Sequence, residues 1–198
     1  MVVSKLIAEQ LIRDFEPQQS WLMHDSYLHG VDHMARVFIL QELICDKLDV
    51  QGITVNREAV RWAAMAHDVG RVDDGIDIDH GRRSAIWIKE NLSSLMSPEM
   101  LDVVTYIVQW HVPPDRDTPV MTLELQILKD ADALDRVRLG DLDIRYLRTD
   151  AAMSLVSVAE DLFRSYEKIE SNSPFDAVIE SAQSIRVVSD DERVLSHK

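Results

Sequence analysis

One of the seven histidines, His67, is followed directly by Asp68 at the end of the apolar run Ala63-Ala64-Met65-Ala66. An imidazole nitrogen and a carboxylate oxygen side by side are the beginnings of a metal site. The dipeptide alone is weak evidence, because 7 histidines and 23 aspartates among 198 residues give about 0.8 adjacent pairs by chance. A second pair, His24-Asp25, lies among turn-compatible residues such as Ser20 and Ser26. Context separates the two. The small apolar residues before His67 must pack in an interior, where burying an imidazole beside a carboxylate costs several kcal/mol unless partners neutralise and hydrogen-bond the charge.

Three further histidines and one aspartate fall at similar places. His33, Val37, Leu40 and Ile44 recur at intervals of four, three and four, which puts His33 on the buried stripe of a helix, with Arg36 on the same side. Val104, Ile107 and Val108 lead at helical spacing to His111, and Pro113-Pro114 forbids continuation. His80 opens a helix that buries Ala85, Ile88 and Leu92. Leu125, Leu128, Asp132, Asp135 and Leu139 follow a three-four-three-four spacing that sets two carboxylates inside a buried stripe and turns Asp130 away from it. A buried carboxylate needs a cation beside it. Each position also has an ordinary explanation: a core histidine bonded to a carbonyl, or a salt bridge from Arg136 or Arg138. Taken together, the nitrogen and oxygen donors suit Fe, Mn, Co, Ni or Zn, with Mg as a further candidate. The single Cys45 excludes both a thiolate zinc knot and an intramolecular disulfide.

The elements that must position these groups are all helical. Val3, Leu6, Ile7 and Leu11 form a stripe over residues 2–15, closed by Pro17. A helix reads from Val31 to about Leu48. Asn56 caps the next, which runs through Trp62 to Val69 with Gly70 in the C′ position. Four aspartates follow in the loop 71–80; most are expected in solvent, and Asp79 is placed to cap the helix at His80. Ser97-Pro98-Glu99 starts a helix, and Thr118-Pro119 is expected to open another that continues to Gly140. From Ala151 a helix presents Ala152, Val156, Ala159, Phe163 and Tyr166 on one side, and a last amphipathic segment spans Pro174 to about Val188.

The length suits one domain over residues 1–198, long enough to bury about 70% of its unfolded surface and so to tolerate a polar cluster inside. A net charge of −14 disfavours tracking along nucleic acid, and no stretch approaches the ~18 apolar residues of a membrane span. The N-terminus turns polar too early for a signal peptide, so a cytoplasmic location is the expectation. Assembly into a homo-oligomer stays open.

His33 within His29-Gly-Val-Asp-His-Met-Ala-Arg-Val37, then His67-Asp68, then Asp132 within Lys129-Asp-Ala-Asp-Ala-Leu-Asp-Arg136 resembles the HD superfamily of metal-dependent phosphohydrolases, over about residues 20–140. The resemblance implies an all-α HD-domain helical bundle, with C-terminal helices from 150–190 packing on its core. It implies His33, His67, Asp68 and Asp132 around one divalent metal ion. His80 and His111 match the extra histidines of subfamilies with two metals, where Asp68 would bridge both. The expected reaction is hydrolysis of a small phosphomonoester or phosphodiester, nucleotide-like, by metal-activated water. Asp68 is the catalytic candidate, and His29, Arg36, Arg71, Lys129 and Arg136 are candidates for holding the phosphorylated substrate. Asp135, one turn from Asp132, could orient a ligand.

No substrate follows from the resemblance. Arg71-Val72 stands where guanosine tetraphosphate hydrolases carry Glu-Asp and where the bacterial 5′-nucleotidase branch has a glutamate at the first position. The Gly-Tyr-Pro element of cyclic-di-GMP phosphodiesterases and the Gly-His-Pro-Pro-Phe-Gly-His stretch of deoxynucleotide triphosphohydrolases are missing. The alternatives are a mixed-valent di-iron oxygenase of the HD type, which needs the same six ligands, and a nucleotide-binding sensor without turnover.

Overall fold

The structure is a computed structural model that describes residues 13–26 and 28–185. The stripe residues Val3, Leu6, Ile7 and Leu11 lie outside the described residues, as does Tyr27. The described residues form helices α1 (Val31–Val50), α2 (Arg57–Ala66), α3 (His80–Asn91), α4 (Pro98–Trp110), α5 (Leu123–Asp135), α6 (Asp150–Met153), α7 (Val156–Tyr166) and α8 (Pro174–Ser184), joined by turns and short 3-10 segments with no strand among them. None of these helices is long and apolar enough to cross a membrane. The expected all-α architecture is what the chain adopts.

Helix α1 is the axis. Fourteen of its 20 residues are buried, so it is enclosed on nearly every side instead of showing a single stripe. α2 and α5 pack along it, α8 closes it from the C-terminal end of the chain, and α3 lies across α4. The stripes expected for α3, α4 and α5 are found, with Ile88, Val104, Ile107, Val108, Leu125 and Leu128 all buried.

Local signals set several boundaries. The Asn56 side chain accepts from the Ala59 amide, and Ser97 from Met100, so both expected N-caps form. Other boundaries differ from expectation. α2 ends at Ala66, and Gly70 is not a left-handed C′ residue: the positive-φ glycines are Gly52 and Gly140. A Cβ on Gly70 would lie 2.4 Å from the Ser84 amide nitrogen, so the residue is there for close contact with α3. Asp79 stands at the N-cap position of α3 without a side-chain bond, its backbone being already helical. α5 begins at Leu123, where the Thr122 side chain accepts from Leu125, and gives way after Asp135 to a 3-10 turn, leaving Leu139 partly exposed. The helix expected from Ala151 breaks at Ser154-Leu155; of its expected stripe Ala152 and Ala159 are buried, while Val156, Phe163 and Tyr166 are only half-buried. α8 starts on its Ser173 cap and runs to Ser184; Val188, its expected end, lies outside the described residues.

Asp130 points away from the stripe but not into solvent. It is fully buried, and its carboxylate accepts from the amides of Arg148 and Thr149 and from the Thr149 hydroxyl. The chain entering α6 folds back over that face of α5, which helical spacing within α5 could not reveal. Of the loop aspartates expected in solvent, Asp77 is also held, by Arg83 and the Val72 amide.

Candidate metal centre

Helix ends converge on Asp68. His33 comes from the first turn of α1, His67 and Asp68 from the turn that follows α2, His80 from the first residue of α3, His111 from the C-cap of α4, and Asp132 from α5. His33, His67, Asp68, His80 and His111 are all buried. Asp68 lies between two imidazole pairs. Its Oδ2 is 3.5 Å from His33 Nε2 and 3.6 Å from His67 Nε2; its Oδ1 is 3.0 Å from His80 Nε2 and 3.8 Å from His111 Nε2. Asp132 Oδ1 stands 3.4 Å from His33 Nε2. Donors bound to one ion at about 2.1 Å sit roughly 3–3.5 Å from each other, which is the spacing seen. Donor atoms of His33, His67 and Asp132, of His67, Asp68 and His111, and of His29, His33 and Asp68 each lie within 4.8 Å of one another.

The hydrogen bonds decide which nitrogens carry protons. Nδ1 of His67, His80 and His111 faces the backbone oxygens of Ala64, Asp77 and Val108, which can only accept. Nδ1 of His33 faces Asp135 Oδ2 at 2.8 Å. Each Nδ1 therefore bears a hydrogen, and each ring turns its Nε2 inward. Those Nε2 atoms meet head-on, at 3.2 Å between His33 and His67 and 3.0 Å between His80 and His111. Asp68 Oδ1 lies buried among them with no hydrogen-bond partner. Such an arrangement is repulsive unless a proton or a cation lies at its centre, so the donor set fits a divalent metal ion.

Titration in the metal-free protein reflects this crowding. Burial and Arg138 push the His33 imidazole down, but hydrogen bonds to Asp132, Asp135 and Asp68 outweigh them and raise it to about 9. Burial dominates at His67, which drops to about 3. Burial also opposes charge on Asp68 and Asp132, yet the surrounding imidazoles hold both carboxyls well below the usual carboxylate range.

The side chain of Asp132 is 37% exposed and forms the floor of a cleft of about 470 Å³. The cleft is lined by Lys129, Arg136, Arg148 and Arg116, with Tyr146 at its side. Lys129 Nζ bonds the Pro113 oxygen and Asp115, and Arg136 pairs with Asp141. Among the candidate substrate contacts, Lys129 and Arg136 thus line the cleft. Arg71 Nε lies 3.2 Å from Asp68 Oδ2 and His29 Nδ1 bonds the same oxygen at 3.0 Å, so both stand against the metal-ligand cluster. Arg36 is placed elsewhere: 2% exposed, it spends its donors on Asp135 and Asp32, behind His33. Arg138 pairs with Asp135 and not with Asp132.

Sequence reasoning missed Arg148 and Asp115, which bond each other across the cleft at 2.7 Å from loops 33 residues apart. Neither lies on a periodic helix, so no spacing could flag them. Tyr146, 67% exposed in a 3-10 turn, was equally silent.

The HD domain family matches residues 30–137, more than half of the chain and the stretch that holds all six candidate ligands. The chain belongs to the HD domain family. Comparison with curated proteins and with solved structures gives no match. An HD domain implies a metal-dependent, hydrolase-type function, and the His and Asp groups of this one can hold the metal.

Proposed function

We propose that this HD domain hydrolyses a small phosphomonoester or phosphodiester. The observation that carries the reading is the position of Asp68, a buried carboxylate between two pairs of inward Nε2 atoms, beside a cationic cleft in a chain of net charge −14. His33, His67, Asp68 and Asp132 would hold one ion, and His80 and His111 with Asp68 a second. A divalent metal there would lower the pKa of bound water toward about 7 and neutralise phosphoryl oxygens.

The chain's own residues supply the rest. Fixed tautomers keep every Nε2 aimed inward, so the ligands need no reorganisation on binding. Lys129, Arg136 and Arg148 attract and orient an anion at the Asp132 end of the cleft. Tyr146 offers an exposed ring on which a flat group such as a nucleobase can stack. Lys129, deeply buried on α5 one turn before Asp132, is the contact best fixed in place. Burial lowers its ammonium pKa, while Asp115 opposes that shift.

The test uses protein purified without added metal, metal analysis, and phosphate release from p-nitrophenyl phosphate, bis-p-nitrophenyl phosphate and a nucleotide panel. Metal-dependent release is expected, falling to background in Asp68→Ala. In Lys129→Met, KM should rise about tenfold with kcat little changed, the signature of lost ground-state binding. Bound iron with oxygen consumption and no phosphate release would overturn the hydrolase in favour of an oxygenase. Nucleotide-dependent stabilisation without turnover would instead favour a sensor.

A further inference from the structure

We infer that helix α7, outside the segment that matches the HD domain, positions the metal ligand His33: Phe163 and Tyr166 clamp Arg36, Arg36 grips Asp135, and Asp135 fixes the His33 ring. The inference rests on the metal centre but not on the reaction it performs.

The linkage is continuous. His33 is fully buried, and its Nδ1 donates to Asp135 Oδ2 at 2.8 Å. Asp135 in turn accepts from Arg36 through both oxygens, Nε to Oδ1 at 2.7 Å and Nη2 to Oδ2 at 3.1 Å, a two-pronged grip that fixes the carboxylate plane. The remaining Arg36 nitrogen, Nη1, donates to Asp32 at 2.9 Å. With its edges used by carboxylates, the guanidinium turns its face to α7. Its carbon lies 4.9 Å from the centre of the Tyr166 ring and 5.6 Å from that of Phe163, and the two rings stack 28° apart.

Both rings are half-buried, and Tyr166 also packs against the core. α7 meets the core through Ala159 and Leu162, each 1% exposed. Phe163 and Tyr166 carry that stripe one turn further, four residues after Ala159 and Leu162 respectively, to where Arg36 lies. The rings exclude water from a guanidinium that must hold one geometry, so loss of the clamp lets Arg36 relax and leaves Asp135 to Arg138, which holds it through a single nitrogen at 3.1 Å. His33 then keeps its place in the chain but loses its fixed orientation. Partners behind a metal ligand are worth 10–100-fold in metal affinity.

The experiment titrates Co²⁺ into the full metal-free chain, reading its visible absorption and competing with a chelator for the dissociation constant. The variants are Phe163→Leu/Tyr166→Leu, Tyr166→Phe and Leu162→Ala, with thermal unfolding followed for each. The double variant is expected to bind Co²⁺ at least tenfold more weakly and with an altered band, whereas Tyr166→Phe, which keeps a ring, stays within about twofold of the parent. Leu162→Ala should lower the Tm and leave Co²⁺ affinity unchanged. If the double variant fails to fold, Tyr166→Leu at its half-buried site carries the same comparison. Unchanged Co²⁺ affinity without the rings, or equal weakening in Leu162→Ala, overturns the inference. A parent chain that binds no Co²⁺ overturns the metal centre and the inference with it. Metal binding without phosphate release leaves the inference standing and refutes only the hydrolase.

Discussion

Replacing Gly70 with alanine places a methyl group against the backbone of α3. The new Cβ would stand 2.4 Å from the Ser84 nitrogen and 2.8 Å from the Arg83 carbonyl carbon, contacts that no rotamer can relieve. The loop and the helix must part by about 1 Å to regain ordinary contact. Overpacking of this kind costs about 1–3 kcal/mol. The separation also weakens two bonds across the gap, Gly70 N to Ser84 Oγ at 2.9 Å and Arg83 Nε to the Gly70 oxygen at 2.8 Å. The first is worth about 1 kcal/mol and the charged one about 1.5–3 kcal/mol. Since these losses share one movement they do not sum fully, and a total of about 3–5 kcal/mol is expected. For a chain of this size that is a fall in Tm on the order of 10 °C. Urea unfolding of the metal-free protein measures it, with Gly75→Ala as the control. There the added Cβ meets only the Asp73 carboxylate at 3.2 Å, on a side chain able to move, so the loss should stay under about 1 kcal/mol. Because α3 begins with His80, 3.0 Å from Asp68, the same displacement should weaken metal binding. A Gly70→Ala protein as stable as Gly75→Ala would refute the reasoning.

Two further outcomes follow from the described geometry. In the metal-free protein the His33 pKa is raised from 6.5 to about 9, so its stabilisation is complete below pH 6.5 and is lost as pH climbs through 9. His67 has the opposite sign: lowered to about 3, it makes the fold lose stability as pH falls below 6.5. Chemical unfolding of apoprotein should therefore show a maximum near pH 6.5 that flattens once metal occupies the centre; monotonic change across pH 4–9 would contradict it. Asp130→Asn removes one of two buried acceptor oxygens that hold Thr149 and Arg148. It should cost about 3 kcal/mol in urea unfolding while metal content stays unchanged, and loss of metal with intact stability would count against a purely structural Asp130.

What the amino-acid order determined by itself is local. Ligand chemistry is written in residue types, and the helix starts at Asn56 and Ser97 are written in side chains that reach three residues ahead. The inward aim of His33 and His111 follows from helical period, because a side chain's face is decided by neighbours three and four positions away. The convergent cluster of candidate ligands was legible for that reason. Tertiary structure alone decided matters between residues far apart in the chain. Arg36 could be read as a substrate contact until Asp135, 99 positions on, proved to hold it. Asp130 seemed solvent-facing until the segment entering α6 covered it, and Gly70 seemed a helix stop until α3 came to lie against it. Arg148 and Asp115 meet only because loops on either side of α5 fold together. Periodicity says which way a side chain points, but what it meets there is set by how the helices pack.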